Sequence, residues 1–155
     1  MKRLRCAVDD ADVFEKFLKE RLNVPNKNII SLRDEKASRI AILSSFVRLK
    51  YNKDYKKNEA AIIIYYAGHG AQTNKPEGWQ DWKTSSGCIE VLCPSDIGRP
   101  TTKWVNGRKH QDVIRGIPDR TISALLNQIS DTKGNNIVRF FSELNLFEFN
   151  SFRRL

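Results

Sequence analysis

Long apolar runs are missing from this 155-residue chain. No stretch approaches the ~18 residues that a membrane span requires. The opening Met1-Lys2-Arg3-Leu4-Arg5 leads into Asp9 and Asp10 rather than into the apolar region of a signal peptide. A soluble, cytoplasmic protein with no membrane partner is expected. Cysteine is scarce: Cys6, Cys88 and Cys93 are too few for a disulfide framework, and with no CxxC or Cys/His ligand set a structural zinc site is not expected. Internal repeats and low-complexity segments are also lacking. What remains, 40% hydrophobic and 29% charged residues, suffices for one core and one domain.

The net charge of +9 invites a nucleic-acid reading, but its distribution argues against nucleic acid as a partner. Residues 1–5 contribute +3, residues 46–58 contribute +4 and residues 99–110 contribute +4. The basicity therefore sits in a terminus and two loop-like stretches, not on one recognition helix.

Between residues 7 and 22, Val8, Ala11, Phe14, Phe17, Leu18 and Leu22 recur at spacings of three and four, which predicts an amphipathic helix opened by Asp9 and Asp10. A short strand is expected at Ile29, Ile30 and Leu32. A second helix is expected from an N-cap at Ser38 to about Tyr51, followed by a lysine-rich loop at 52–58. Residues 60–67, AAIIIYYA, are continuously apolar, as in a strand of a parallel sheet covered on both faces. Residues 71–88 then read as a surface excursion, 88–93 as a strand closed by Pro94, and 95–116 as basic and irregular. A helix capped by Asp119 follows to about Ser130, ended by Lys133-Gly134-Asn135-Asn136, and a last strand begins at Ile137.

The point of chemical interest is Tyr65-Tyr66-Ala67-Gly68-His69-Gly70, a histidine flanked by glycines directly after a buried strand. Catalytic groups gather at the carboxyl ends of strands in open α/β sheets. Flanking glycines also expose backbone N–H groups of the kind that stabilise a developing oxyanion. His69 is therefore the candidate general base. Trp79, Trp82 and Trp104 read as loop anchors sooner than as the lining of a substrate cleft, and His110, among Arg108, Lys109 and Gln111, as a solvated surface residue.

The string YYAGHG, the helix LRCAVDDADVFEKFL, the strand end IEVLCPSD and the segment GIPDRTISALLNQI followed by KGNNI resemble the caspase-like cysteine peptidases, metacaspases of fungi above all. The resemblance covers about residues 3–138, taken as a partial peptidase domain, with 139–155 as an atypical C-terminal tail. It implies a caspase-like α/β fold, a three-layer helix-sheet-helix sandwich around a mostly parallel sheet, and peptide-bond hydrolysis through a Cys-His dyad. His69 matches the dyad histidine and Gly70 an oxyanion-hole donor. Asp10 matches an acid of the pocket that would receive the basic residue of protein or peptide substrates cleaved after Arg or Lys, and Asp96 matches the Asp of the family's PxD segment, also taken as substrate-binding; apart from the resemblance the two read equally as a helix cap and a turn residue. Calcium is the cofactor the resemblance implies, although the sequence marks no ligand set for it, and Glu77-Gly78-Trp79-Gln80-Asp81-Trp82 replaces the family's acidic segment.

The family carries its nucleophile at the end of the strand that follows KGNNI. Here VRFFSELNLFEFNSFRRL, residues 138–155, holds no cysteine. Cys88 and Cys93 lack the motif and read as small buried hydrophobes. The apolar strand that normally precedes the first helix is also missing, and its loss should leave sheet edges open. The expectation is a domain truncated at both ends and inactive by itself, or a catalytically dead regulatory or decoy partner of an intact paralogue.

Overall fold

The computed structural model describes residues 6–84 and 87–143, apart from the side chains of Ser142 and Glu143. The first helix, α1, spans Ala7–Glu20, with Asp9 and Asp10 in its first turn and Lys19 in its last, each suited to the adjacent end of the helix dipole. It stops short of Leu22. Asn23 turns the chain at φ 51°, and the Val24 N–H donates back to the Leu18 carbonyl at 3.0 Å. The second helix, α2, runs Arg39–Tyr51 from the expected cap: the Ser38 hydroxyl accepts the Ala41 N–H at 3.3 Å.

The strand expected at Ile29 to Leu32 does not form. Ile29 and Arg33 hold extended dihedrals, yet this segment joins no ladder among the described residues. Its alternate side chains turn to α1 instead. The Ser31 hydroxyl donates to Glu15 at 2.7 Å, and the Arg33 guanidinium reaches Asp12, Glu15 and the Ala11 carbonyl. Extended dihedrals make a strand only where another backbone lies alongside to complete the hydrogen bonds.

Beyond the loop at 52–58 the strands are β1 (Ile62–Gly68), β2 (Gly70–Asn74), β3 (Cys88–Leu92), β4 (Pro100–Val105), β5 (Arg108–Val113) and β6 (Ile117–Pro118). Helix α3 (Asp119–Lys133) and β7 (Ile137–Glu143) follow. Three helices and seven strands among the described residues make the chain mixed α/β. β1 and β7 pair in parallel, from Ile62 opposite Ile137 to Gly68 opposite Glu143. The other ladders, β2–β3, β3–β6 and β4–β5, are antiparallel, so parallel order is confined to this pair among the described residues. β7 runs across the boundary expected at 138/139, while the tail residues Leu144, Leu146, Phe147, Phe149 and Phe152 lie outside the described residues, as do residues 1–5.

Alternation along β1 sends side chains to two layers. Ile62, Ile64 and Tyr66, with Ile137 and Phe141 of β7, join a core made with Phe46 of α2, Ile122, Leu126 and Ile129 of α3, Leu92 and Ile117. Tyr65 faces the other way, where Phe14 of α1 stacks on it at 4.3 Å and meets Phe140 of β7 at 5.5 Å. The pair thus has helices on both faces, as its apolar sequence predicts.

Two stretches that read as irregular are ordered. Residues 70–74 form an exposed strand on β3, and residues 100–113 form the β4–β5 hairpin. Asn106 and Gly107, with φ of 50° and 72°, make the hairpin turn that an Asn-Gly pair favours. α3 takes its N-cap from Pro118 rather than Asp119, which lies one residue inside, its Oδ1 accepting the Arg120 N–H at 2.7 Å. The helix ends as expected at Gly134. There φ is 96°, and a Cβ would lie 2.0 Å from Asn58 Oδ1, so no other residue fits without displacing the 58 loop.

Candidate functional site around His69

His69 occupies the one-residue junction between β1, which is parallel, and β2, which is antiparallel to β3. The backbone there is held from two sides. The Cys93 N–H donates to the His69 carbonyl at 2.9 Å, and the Tyr66 hydroxyl lies 2.9 Å from the same oxygen and 3.2 Å from the Cys93 carbonyl. One phenolic proton therefore bridges the end of β1 to the end of β3. Tyr66 reaches them by folding its ring back over Gly68. A Cβ at that position would lie 2.5 Å from the Tyr66 oxygen, so the first glycine of GHG makes room for a side chain of its own strand.

The second glycine has a different consequence. Gly70 sits opposite Leu92, and the Cys93-to-His69 bond makes this a non-hydrogen-bonded pair of the antiparallel ladder. Its N–H consequently points away from β3, out of the ladder. His69 itself is half-buried. A half-buried imidazole next to an outward-facing backbone donor at a strand end can take a proton and stabilise a negative oxygen within one small region.

Cys93 is the cysteine whose backbone lies next to His69, and its side chain is buried; Cys88 is half-buried on β3, and Cys6 is exposed before α1. The burial expected of both is found for Cys93 and not for Cys88. The two predicted substrate-binding acids stand apart in their roles. Asp10 lies half-buried in the first turn of α1 and enters no ion pair among the described residues. Asp96 is used by the fold: its Oδ1 accepts the Arg39 N–H at the start of α2 at 2.8 Å. Beside it the Ser95 N–H donates to the Ala37 carbonyl at 3.0 Å. Asp96 thereby ties the turn after β3 to α2.

Sequence reasoning missed the anchoring of the 75–84 loop in detail. Arg120 makes a two-pronged pair with Asp81, both contacts at 2.9 Å, and its guanidinium lies over Trp79 at 4.9 Å and Trp82 at 5.7 Å. The Trp82 indole donates to Asp119 at 3.1 Å. Arg120 beside Asp81 holds that carboxyl below its ordinary range. Glu90 is pushed up, first by burial and then by the charge of Asp119. These contacts clamp the loop onto the start of α3, and Trp79 and Trp82 are the anchors they read as.

Among the described residues, no group of three or more His, Cys, Asp or Glu could hold a metal ion. A concavity of about 290 Å³ along α1 is lined by Asp12, Glu15, Lys16, Lys19 and Glu20, and no candidate site residue borders it. No helix among the described residues is long and apolar enough to cross a membrane. Compared with known proteins, the chain matches no family model, no curated protein and no solved structure.

Proposed function

We propose that this chain is a cytoplasmic caspase-like domain of the metacaspase type, a helix-sheet-helix sandwich that keeps the histidine half of a Cys-His endopeptidase site. The observation that carries the reading is the setting of His69: it follows a largely half-buried parallel strand, its backbone is fixed by Tyr66 and Cys93, and the Gly70 N–H faces outward beside it. In dyad chemistry the imidazole accepts the thiol proton as the thiolate attacks the scissile carbonyl, then delivers it to the leaving amine. Water afterwards hydrolyses the thioester. His69 supplies the base and the Gly70 N–H the oxyanion donor, and Asp10 would face the basic residue of an Arg or Lys substrate.

Within the 155 residues no cysteine follows Cys93, so this reading expects no peptide turnover from the chain by itself. A second reading, a dead regulatory partner of an intact paralogue, draws support from β1, which ladders with β7 alone among the described residues. The test is turnover of fluorogenic peptides ending in Arg or Lys by the purified chain, with and without calcium, beside His69→Ala and Cys93→Ala. No turnover from a folded sample is the expected result. Turnover abolished by both substitutions would instead make Cys93 a nucleophile and overturn the inactive reading.

A further inference from the structure

The β4–β5 hairpin stands apart from the core. Its strands pack chiefly on each other, and its base is closed by the Gly98 N–H donating to Ile114 O at 2.7 Å and the Ile114 N–H to Arg99 O at 2.9 Å. Its register places Trp104 opposite Lys109 and Val105 opposite Arg108, directly before and after the Asn106-Gly107 turn. Trp104 is 72% exposed and Val105 48% exposed. A bare indole at the tip of a projecting ribbon contributes nothing to packing.

The charge around the tip has one sign. The single acid of the hairpin, Asp112, lies toward the base and is taken by Lys103 and Arg115. Arg108 and Lys109 enter no ion pair or side-chain hydrogen bond among the described residues, and both lie level with the apolar pair. An indole with cations at its own height is the arrangement of an interfacial anchor, in which the ring rests among headgroups while long basic side chains reach phosphates. A single-stranded nucleic acid is the poorer fit, because such platforms stack successive bases on several aromatics and this hairpin offers one.

We propose that the hairpin tip, Trp104 and Val105 flanked by Arg108 and Lys109, docks the protein on an anionic lipid bilayer surface. This inference does not rest on the peptidase reading. The experiment is co-sedimentation of the full chain with phosphatidylcholine vesicles and with vesicles containing phosphatidylserine, at low and high salt. Binding is expected only to the anionic vesicles, weakened by salt. It should fall roughly 25-fold in the Arg108→Gln, Lys109→Gln double variant, at roughly fivefold per cation near a charged surface. Trp104→Ala should cost about tenfold and should abolish quenching of tryptophan emission by brominated lipid. Thermal unfolding midpoints should be unchanged in both variants, since no core residue is touched. No binding to anionic vesicles, equal binding to neutral ones, or binding that both variants retain would overturn the proposal. So would capture of a single-stranded oligonucleotide, lost in the variants, without vesicle binding.

Discussion

The two faces of the β1–β7 ladder come from the same pair of strands and are covered unequally. On the side of α2 and α3, Ile62 is 7% exposed, Ile122 3%, Ile129 1% and Ile117 0%. On the side of α1, Phe140 stays 45% exposed and Val138 42%, and Phe17 on the helix that covers them is 45% exposed as well. A continuously apolar strand announces that both faces want cover; it does not say that both will receive it equally. One face has two helices and the β3–β6 edge. The other has a single helix, whose Phe14 ring stacks on Tyr65 and meets Phe140. The well-covered face is where the fold's stability resides, and it is the face from which Tyr66 rises to hold His69.

The contrast is broken most sharply from the closed side. Ile129→Ala removes a fully buried side chain from the packed face, and about 3 to 4 kcal/mol of unfolding free energy should be lost, as for cavities elsewhere in tight cores. Urea denaturation measures it, and a loss under about 1 kcal/mol would mean that the two faces do not differ as described. Gly68→Ala comes next. Its new methyl meets the Tyr66 oxygen at 2.5 Å, so the ring must move and release the carbonyls of His69 and Cys93. A cost of about 2 kcal/mol is expected, together with a shift of the His69 imidazole resonances in NMR spectra. Unmoved resonances would detach Tyr66 from the site.

On the open side the same truncation should matter less. Phe140→Ala deletes a ring that is already nearly half in water, so about 1 kcal/mol is expected rather than the 3 to 5 of a buried phenylalanine. If urea titration gives a cost equal to that of Ile129→Ala, α1 covers its face as fully as α2 and α3 cover theirs.

How much of this was legible in the sequence differs by element. The three helices and the strands at β1, β3 and β7 carry long or strongly apolar patterns, and all are found within a few residues of expectation. The segment at 29–32 was misread because local apolarity fixes extended dihedrals but not a neighbour to pair with. β2, with the polar sequence GAQTN, is a strand only because β3 offers it an edge, which no local pattern records. The β4–β5 hairpin carries a turn signal in Asn106-Gly107, which the reading of 95–116 as basic and irregular passes over. At the site, the position of His69 was readable from the motif. The role of Tyr66, and the use of Asp96 as a tie to α2, depend on tertiary contacts and were not.

Glu90 gives the smallest effect and the finest probe of the closed side, because it is the polar exception there. It shares its face of β3 with Leu92 of the core, and burial with the nearby Asp119 charge raises its pKa above the ordinary 4.5. A carboxyl whose folded pKa is raised binds more protons folded than unfolded, so its contribution to stability is present below pH 4.5 and is lost as pH rises through the folded value. At neutral pH its charge opposes folding, although water at this partly exposed group screens much of the penalty. Glu90→Gln should therefore stabilise the protein by only about 0.5 kcal/mol at pH 7. That gain should shrink as the pH is lowered through the raised folded value and disappear below 4.5, where the carboxyl takes up its proton in the unfolded chain as well. Thermal unfolding of both proteins across this range decides the matter: a gain that stays constant with pH would assign the stabilisation to packing, and a loss at neutral pH would show that Glu90 keeps its charge in a favourable setting.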